Sequence, residues 1–159
     1  DGIRDTSVTG VQTCALPICK IDPAWTVIVL WPTDSGYAEL SKVFDQLGIA
    51  FGDLLNRTIY VDGVQLEEAN LTQDHLLAIE AHEIAHGILE HSSSNRDFAE
   101  YDERQEREAD WLGIRILDEL GHQTAAQILE DRYLDHYSES SEDLVGTEKL
   151  ESALQRYFK

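Results

Sequence analysis

Positive charge is scarce in this 159-residue chain: 12 lysines and arginines face 31 aspartates and glutamates, which gives a formal net charge of −19. Binding to nucleic acid or to an anionic membrane requires clustered cations, so the composition argues against both partners. The most apolar run, AWTVIVLW at 24–31, is far too short to span a bilayer, and no signal peptide is visible. We therefore expect a soluble, cytoplasmic protein with no membrane segment in this chain and leave its oligomeric state open.

Cysteine is nearly absent, and methionine is absent altogether. Residues 8–18, VTGVQTCALPI, resemble the conceptual translation of a common sequencing adapter, and residues 1–5, DGIRD, resemble its upstream part. We interpret residues 1–18 as an adapter-derived, non-native segment and residues 20–159 as one domain, and we expect native sequence before Lys20 to be missing. Cys14 then lies in the adapter and Cys19 at the junction, so neither a disulfide framework nor a thiolate zinc site is expected. Any bound metal must use histidine and carboxylate ligands.

Apolar periodicity predicts an α+β domain with a few-stranded sheet over a helical core. The strands are expected at TVIVLW, 26–31, and at RTIYVDG, 57–63, with a turn at Asp62-Gly63. Five helices are predicted. They cover 34 or 35 to 47, a cap at Asn70 or Thr72 to about 91, a long helix that ends at Gly121, 124–137, and 147–158.

Two histidines stand four residues apart in AHEIAHG, 81–87, with a glutamate directly after the first. On a helical wheel His82 and His86 fall at the border of the apolar arc, where a packed face can hold them rigidly beside a cleft. Glu83 points to the side, where it can take a proton from a metal-bound water. Two histidines do not complete a catalytic zinc site, so a third ligand is required.

The segment EREADWLG, 106–113, offers that ligand. Glu106 falls inside the apolar face of its helix and Asp110 beside it, whereas Glu108 falls on the opposite side. A carboxylate in an apolar stripe needs a partner or a metal. Glu106 is therefore the expected third ligand, Asp110 is expected to accept the second N–H of a ligating histidine, and Gly113 would let two helices approach closely.

HEIAH, 19 further residues and then ExxAD together resemble the gluzincin clan of zinc metallopeptidases. The flanking residues look most like the HtpX/CaaX-protease family, although its members usually carry transmembrane helices, and the compact layout resembles the ImmA/IrrE-type peptidases. The resemblance implies a small zincin-like, minigluzincin fold in which His82, His86 and Glu106 bind Zn²⁺, Glu83 is the catalytic base and Asp110 supports a ligand. It also implies that RTIYVDG lies at the edge of the cleft, where a peptide substrate could add as a strand.

The sequence thus predicts a zinc metalloendopeptidase that acts on a peptide or protein substrate. A zinc-binding regulatory or scaffold module without hydrolytic activity is the alternative, and a metal-free helical interaction domain is a third possibility. His91 is expected at an exposed helix end rather than as a ligand. His75 is read as a structural histidine. Tyr133, His136 and Tyr137 are candidates for the donor that stabilises a tetrahedral oxyanion.

Overall fold

The computed structural model describes residues 21–91, 103–137 and 147–159, so the expectation for residues 1–18 lies outside the described residues. Within these ranges the chain forms an α+β fold, as predicted. Its elements, in chain order, are β1 (Thr26–Leu30), α1 (Tyr37–Leu47), β2 (Ala50–Asp53), β3 (Thr58–Asp62), α2 (Gly63–Glu68), α3 (Gln73–Ile88), α4 (Glu103–Glu119), α5 (Gln123–Tyr137) and α6 (Thr147–Tyr157). None of the helices in the described ranges has the length and apolar character needed to cross a membrane.

The three strands form one sheet in the order β1-β3-β2. Strand β3 runs parallel to β1 and antiparallel to β2, so it is the central strand. The expectation that a peptide could add to RTIYVDG as an extra strand is therefore wrong, because both edges of this strand are already paired. Both faces of β3 are covered, because Ile59 and Val61 are buried on one face and Thr58 on the other. An alternating pattern cannot tell a central strand from an edge strand.

Strand β2 is the sheet edge that faces the helices, and the sequence analysis missed it. Its four residues, AFGD, include a glycine and an aspartate, both of which are depleted in strands. Pairing with β3 stabilises it, with Phe51 opposite Tyr60 and Gly52 opposite Ile59. Helix α2 was not predicted either, since a turn was expected at Asp62-Gly63. In the structure Asp62 accepts a hydrogen bond from the Val64 N–H and caps the start of this short helix.

Helix α3 forms the centre of the domain. Thr72 caps its N-terminus together with the His75 side chain, which gives His75 the structural role that was expected. The helix packs against α4 and α5 on one side and β2 on another. Because it is covered on several sides, ten of its residues are buried, including His82, His86 and Glu83. A charged group on such a helix is costly unless it finds a partner or takes up a proton.

Helices α3 and α4 come into close contact at Gly113. A Cβ atom there would lie 2.8 Å from Cδ2 of Leu129 and 3.3 Å from the backbone carbon of Ala81. The prediction that Gly113 permits a close helix approach is confirmed. The glycine stands beside the His82 backbone, so it brings the acidic face of α4 to the histidines of α3.

Candidate metal centre

His82, His86 and Glu106 converge on one point between α3 and α4. The two histidine Nε2 atoms are 3.0 Å apart, and the Glu106 carboxylate oxygens lie 3.3 Å from His82 Nε2 and 3.4 Å from His86 Nε2. A tetrahedral zinc with bonds of about 2.0 to 2.2 Å separates its ligand atoms by about 3.3 to 3.6 Å. The three side chains therefore stand close to the spacing that one such ion requires.

The two imidazoles face each other through nitrogen atoms, which requires a proton or a cation between them. Burial alone would lower the pKa of His82, but hydrogen bonds to Asp110 and Glu106 outweigh it and raise the pKa to about 9. Burial lowers the pKa of His86, and its hydrogen bond to Glu106 only partly opposes this. Burial would raise the pKa of Glu106, but hydrogen bonds from the two histidines hold it far below its usual range. The Glu106 carboxylate is thus anionic, and it stabilises a proton held at the two facing histidine nitrogens, where a metal ion can replace that proton.

Asp110 lies directly behind His82. Its Oδ1 is 2.6 Å from His82 Nδ1, and the residue is completely buried. A buried aspartate at this distance accepts the Nδ1–H, so the lone pair of the ring is on Nε2 and faces the convergence point. The structure therefore places Asp110 in contact with His82, a candidate ligand, as expected from the sequence.

His91 is not the exposed helix end that was predicted. It is 4% exposed, and its Nδ1 lies 2.9 Å from His86 Nδ1. The helical wheel fails here because α3 ends first: Glu90 adopts φ 55°, and the His91 N–H donates to the His86 carbonyl at 3.0 Å. This turn folds His91 back behind His86, on the side away from the convergence point.

The placement of Glu108 on the solvent side of α4 is also wrong. Its side chain is 5% exposed, whereas that of Glu106 is 24% exposed. Glu108 Oε2 lies 3.2 Å from His91 Nε2, and its Oε1 accepts from Arg104 Nε at 2.9 Å. Burial opposes ionisation, but the hydrogen bonds from His91 and Arg104 outweigh it and lower the pKa of Glu108. A helical wheel of α4 takes account of residues on that helix alone, so it cannot show that His91, from the turn after α3, covers this face.

Glu83 points from α3 toward the edge strand β2. It is 7% exposed, and its carboxylate accepts a hydrogen bond from the Gly52 backbone. Among the described residues its Oε2 has no hydrogen-bond partner. Burial, reinforced by Glu106, raises the pKa of Glu83, although His82 opposes the shift. Glu83 is thus a buried carboxylate with one oxygen available to a proton, beside the convergence point.

A pocket opens at this site between α3, β2 and the end of α1. It is lined by both apolar and polar side chains, namely Leu47, Ile49, Ala50, Phe51, Ile79, His82, Glu83, Glu106 and Arg132. A ligand in the pocket would therefore touch the edge strand together with His82 and Glu106.

Arg132 is a site residue that the sequence analysis missed. Its Nη2 lies 3.2 Å from Glu106 Oε2, and its Nη1 lies 3.6 Å from Asp110 Oδ1. The signal in the sequence was weak, namely a single arginine in an acidic helix of a strongly acidic chain. The sequence offered three nearby candidates for the oxyanion donor, and none of them is among the residues that line the described pocket: Tyr133, His136 and Tyr137.

A search of known protein families, curated proteins and solved structures finds no match to this chain. The structure brings together His82, His86 and Glu106 as a possible metal-binding group, with Glu83 in the same pocket and Asp110 behind His82.

Proposed function

We propose that this chain is a zinc-dependent metalloendopeptidase with a zincin-like, minigluzincin fold. The proposal rests on the group formed by His82, His86 and Glu106. Its two Nε2 atoms are 3.0 Å apart, and they lie 3.3 Å and 3.4 Å from Oε2 and Oε1 of Glu106, respectively. Two imidazole nitrogens and one carboxylate oxygen form a donor set typical of catalytic zinc, which leaves a position open for water or substrate. The described pocket reaches this group, as a catalytic site requires.

Zinc, when bound, supplies a Lewis acid that polarises a carbonyl oxygen and lowers the pKa of water. The protein must then provide a base close to the ion. Glu83 fits this role because its raised pKa moves the carboxylate toward the proton affinity of a useful general base. It would accept the proton of the attacking water at its unpartnered Oε2 and deliver it to the amine that leaves.

Strand β2 supports a peptide as the substrate. It is the last strand in the sheet order, and it borders the pocket through Ala50 and Phe51. An extended peptide can pair with such an edge through main-chain hydrogen bonds, which would place one of its carbonyl groups near Glu83. The apolar wall formed by Leu47, Ile49 and Phe51 suits an apolar side chain of that peptide.

Arg132 is the candidate for the donor that stabilises the developing oxyanion. Its guanidinium group borders the pocket and is held by Glu106 and Asp110. A fixed cation near the reacting carbonyl stabilises negative charge in the transition state more than in the ground state. Arg132 also offsets part of the negative charge that two carboxylates concentrate around the site.

The direct test is to digest a mixture of unstructured peptides with the protein after removing metal and after adding one equivalent of zinc. We expect cleavage products, detected by mass spectrometry, only in the zinc-loaded sample. His82→Ala, loaded in the same way, is the matched control and should neither retain zinc nor cleave. Tight zinc binding by the wild type without cleavage would favour the non-hydrolytic regulatory or scaffold module, and failure to bind zinc would favour a metal-free interaction domain.

A further inference from the structure

A chain of buried polar contacts extends from His86 away from the metal centre. His86 Nδ1 lies 2.9 Å from His91 Nδ1, and His91 Nε2 lies 3.2 Å from Glu108 Oε2. Glu108 is in turn held by Arg104 Nε at 2.9 Å and by Lys149 Nζ at 3.5 Å. Elements α3, α4 and α6 therefore all contribute to one network that begins at a candidate ligand.

The positions of the protons along this chain follow from its geometry. A carboxylate held by two cations is an acceptor, so the contact with Glu108 requires a proton on His91 Nε2. A neutral imidazole carries one N–H, and burial favours the neutral form, so His91 Nδ1 is then an acceptor. The contact between the two Nδ1 atoms in turn requires a proton on His86 Nδ1. The lone pair of His86 is left on Nε2, the atom that lies 3.0 Å from His82 Nε2.

We propose that Glu108 and His91 are positioning residues that fix the tautomer and the orientation of His86 for metal binding. This inference rests on the proposed zinc site. It gives the two histidine ligands the same support by different routes: Asp110 contacts His82 directly, whereas Glu108 acts on His86 through one additional imidazole. Support of this kind sets ligand basicity and ring orientation, and its loss typically weakens metal binding by about 10 to 100-fold.

The contacts distinguish this role from two others. His91 does not act as a ligand in this arrangement, because it contacts the Nδ1 atom of His86 and the convergence point lies at Nε2. Glu108 is also more than a surface ion pair, since its side chain is only 5% exposed and its Oε2 faces a buried histidine. A surface pair such as Arg107–Glu103, in which the glutamate side chain is 72% exposed, would contribute little to either stability or binding.

The test compares zinc affinities by competition with a chromophoric chelator, on variants that are all in the full chain. Glu108→Gln should weaken zinc binding by about 10 to 100-fold, because the amide removes the anion that fixes the proton on His91. Glu103→Gln makes the same chemical change on an exposed part of the same helix and should stay within about twofold. His91→Phe should lose affinity like Glu108→Gln. His91→Asn should recover part of it, because the amide oxygen can accept from His86 Nδ1.

A spectroscopic measurement on the wild type requires no variant to fold. In the zinc-loaded protein with ¹⁵N-labelled histidine, His91 should show a protonated Nε2 and an unprotonated Nδ1, and His86 a protonated Nδ1. A protonated His91 Nδ1, or equal zinc affinities for Glu108→Gln and Glu103→Gln, would overturn the inference and leave the zinc site intact. A wild-type protein that binds no stoichiometric zinc would overturn both the proposed function and this inference.

Discussion

Asp110→Asn removes one negative charge behind His82 and changes the shape of the side chain very little. In the wild type the carboxylate is fully buried, and its Oδ1 lies 2.6 Å from His82 Nδ1. An asparagine can still accept this hydrogen bond through its oxygen, but the bond is no longer charge-assisted. It can also present its NH₂ group, which would force the His82 proton onto Nε2, where it competes with zinc.

The magnitude of the effect follows from these contacts. Loss of a carboxylate that supports a ligating imidazole typically weakens metal binding by about 10 to 100-fold, which corresponds to about 1.4 to 2.7 kcal/mol. Oδ2 of Asp110 has no hydrogen-bond partner among the described residues, so the amide would place an unsatisfied NH₂ in that position. A buried donor without an acceptor costs about 1 to 3 kcal/mol, and we expect the metal-free variant to lose stability by that order.

The assay is a chelator competition at fixed pH with metal-free protein, together with urea unfolding of the same samples. Asp118→Asn is the matched control, because it makes the same change at an exposed position of α4. The control should leave zinc affinity within about twofold, since surface changes typically stay within about 0.5 kcal/mol. If Asp110→Asn and Asp118→Asn bind zinc equally well, Asp110 does not orient a ligand and the reasoning is refuted.

Three further variants test other parts of the structure. Burial, and secondarily Asp22, raises the pKa of Glu80 from 4.5 to about 8. Between these pH values the folded protein keeps a proton that the unfolded chain loses. The free energy of unfolding therefore falls by up to about 1.4 kcal/mol per pH unit as the pH rises through this range. Glu80→Gln should therefore gain stability relative to wild type between pH 5 and pH 7.5 in urea unfolding, and a constant difference would contradict this. Gly113→Ala should destabilise the protein by about 1 to 3 kcal/mol and weaken zinc binding, because the new methyl group would push α4 away from α3. An alanine variant more stable than wild type, as expected at an unhindered helix position, would show that the two helices are not in tight contact there. Arg132→Gln should lower the turnover of a peptide substrate by about 100-fold or more with little change in zinc affinity, and unchanged turnover would limit Arg132 to an ion-pairing role.

The parts of the site that the sequence predicted are those fixed by local helix geometry. Spacing by four residues places His82 and His86 on one side of α3, and the phase of α4 turns Glu106 and Asp110 toward them. Thr72 as a cap and Gly113 as a close approach also follow from local chemistry. For such residues the neighbours along the chain determine the outcome.

The parts that were missed depend on contacts between distant segments. His91 is buried because the chain turns at Glu90, beyond the end of the helix on which the wheel was drawn. Glu108 is covered by His91 and Lys149, which come from other elements. Strand β2 is stable only when paired with β3, so its own four residues do not reveal it.

The central claim is that a zinc ion held by His82, His86 and Glu106 works together with Glu83 as a base. The most direct measurement is to determine zinc content and peptide turnover on the same samples of wild type and Glu83→Gln. The amide keeps the shape of the side chain but cannot accept a proton from water, so we expect near-stoichiometric zinc and turnover reduced by orders of magnitude. Full zinc content with wild-type turnover in Glu83→Gln would contradict the account.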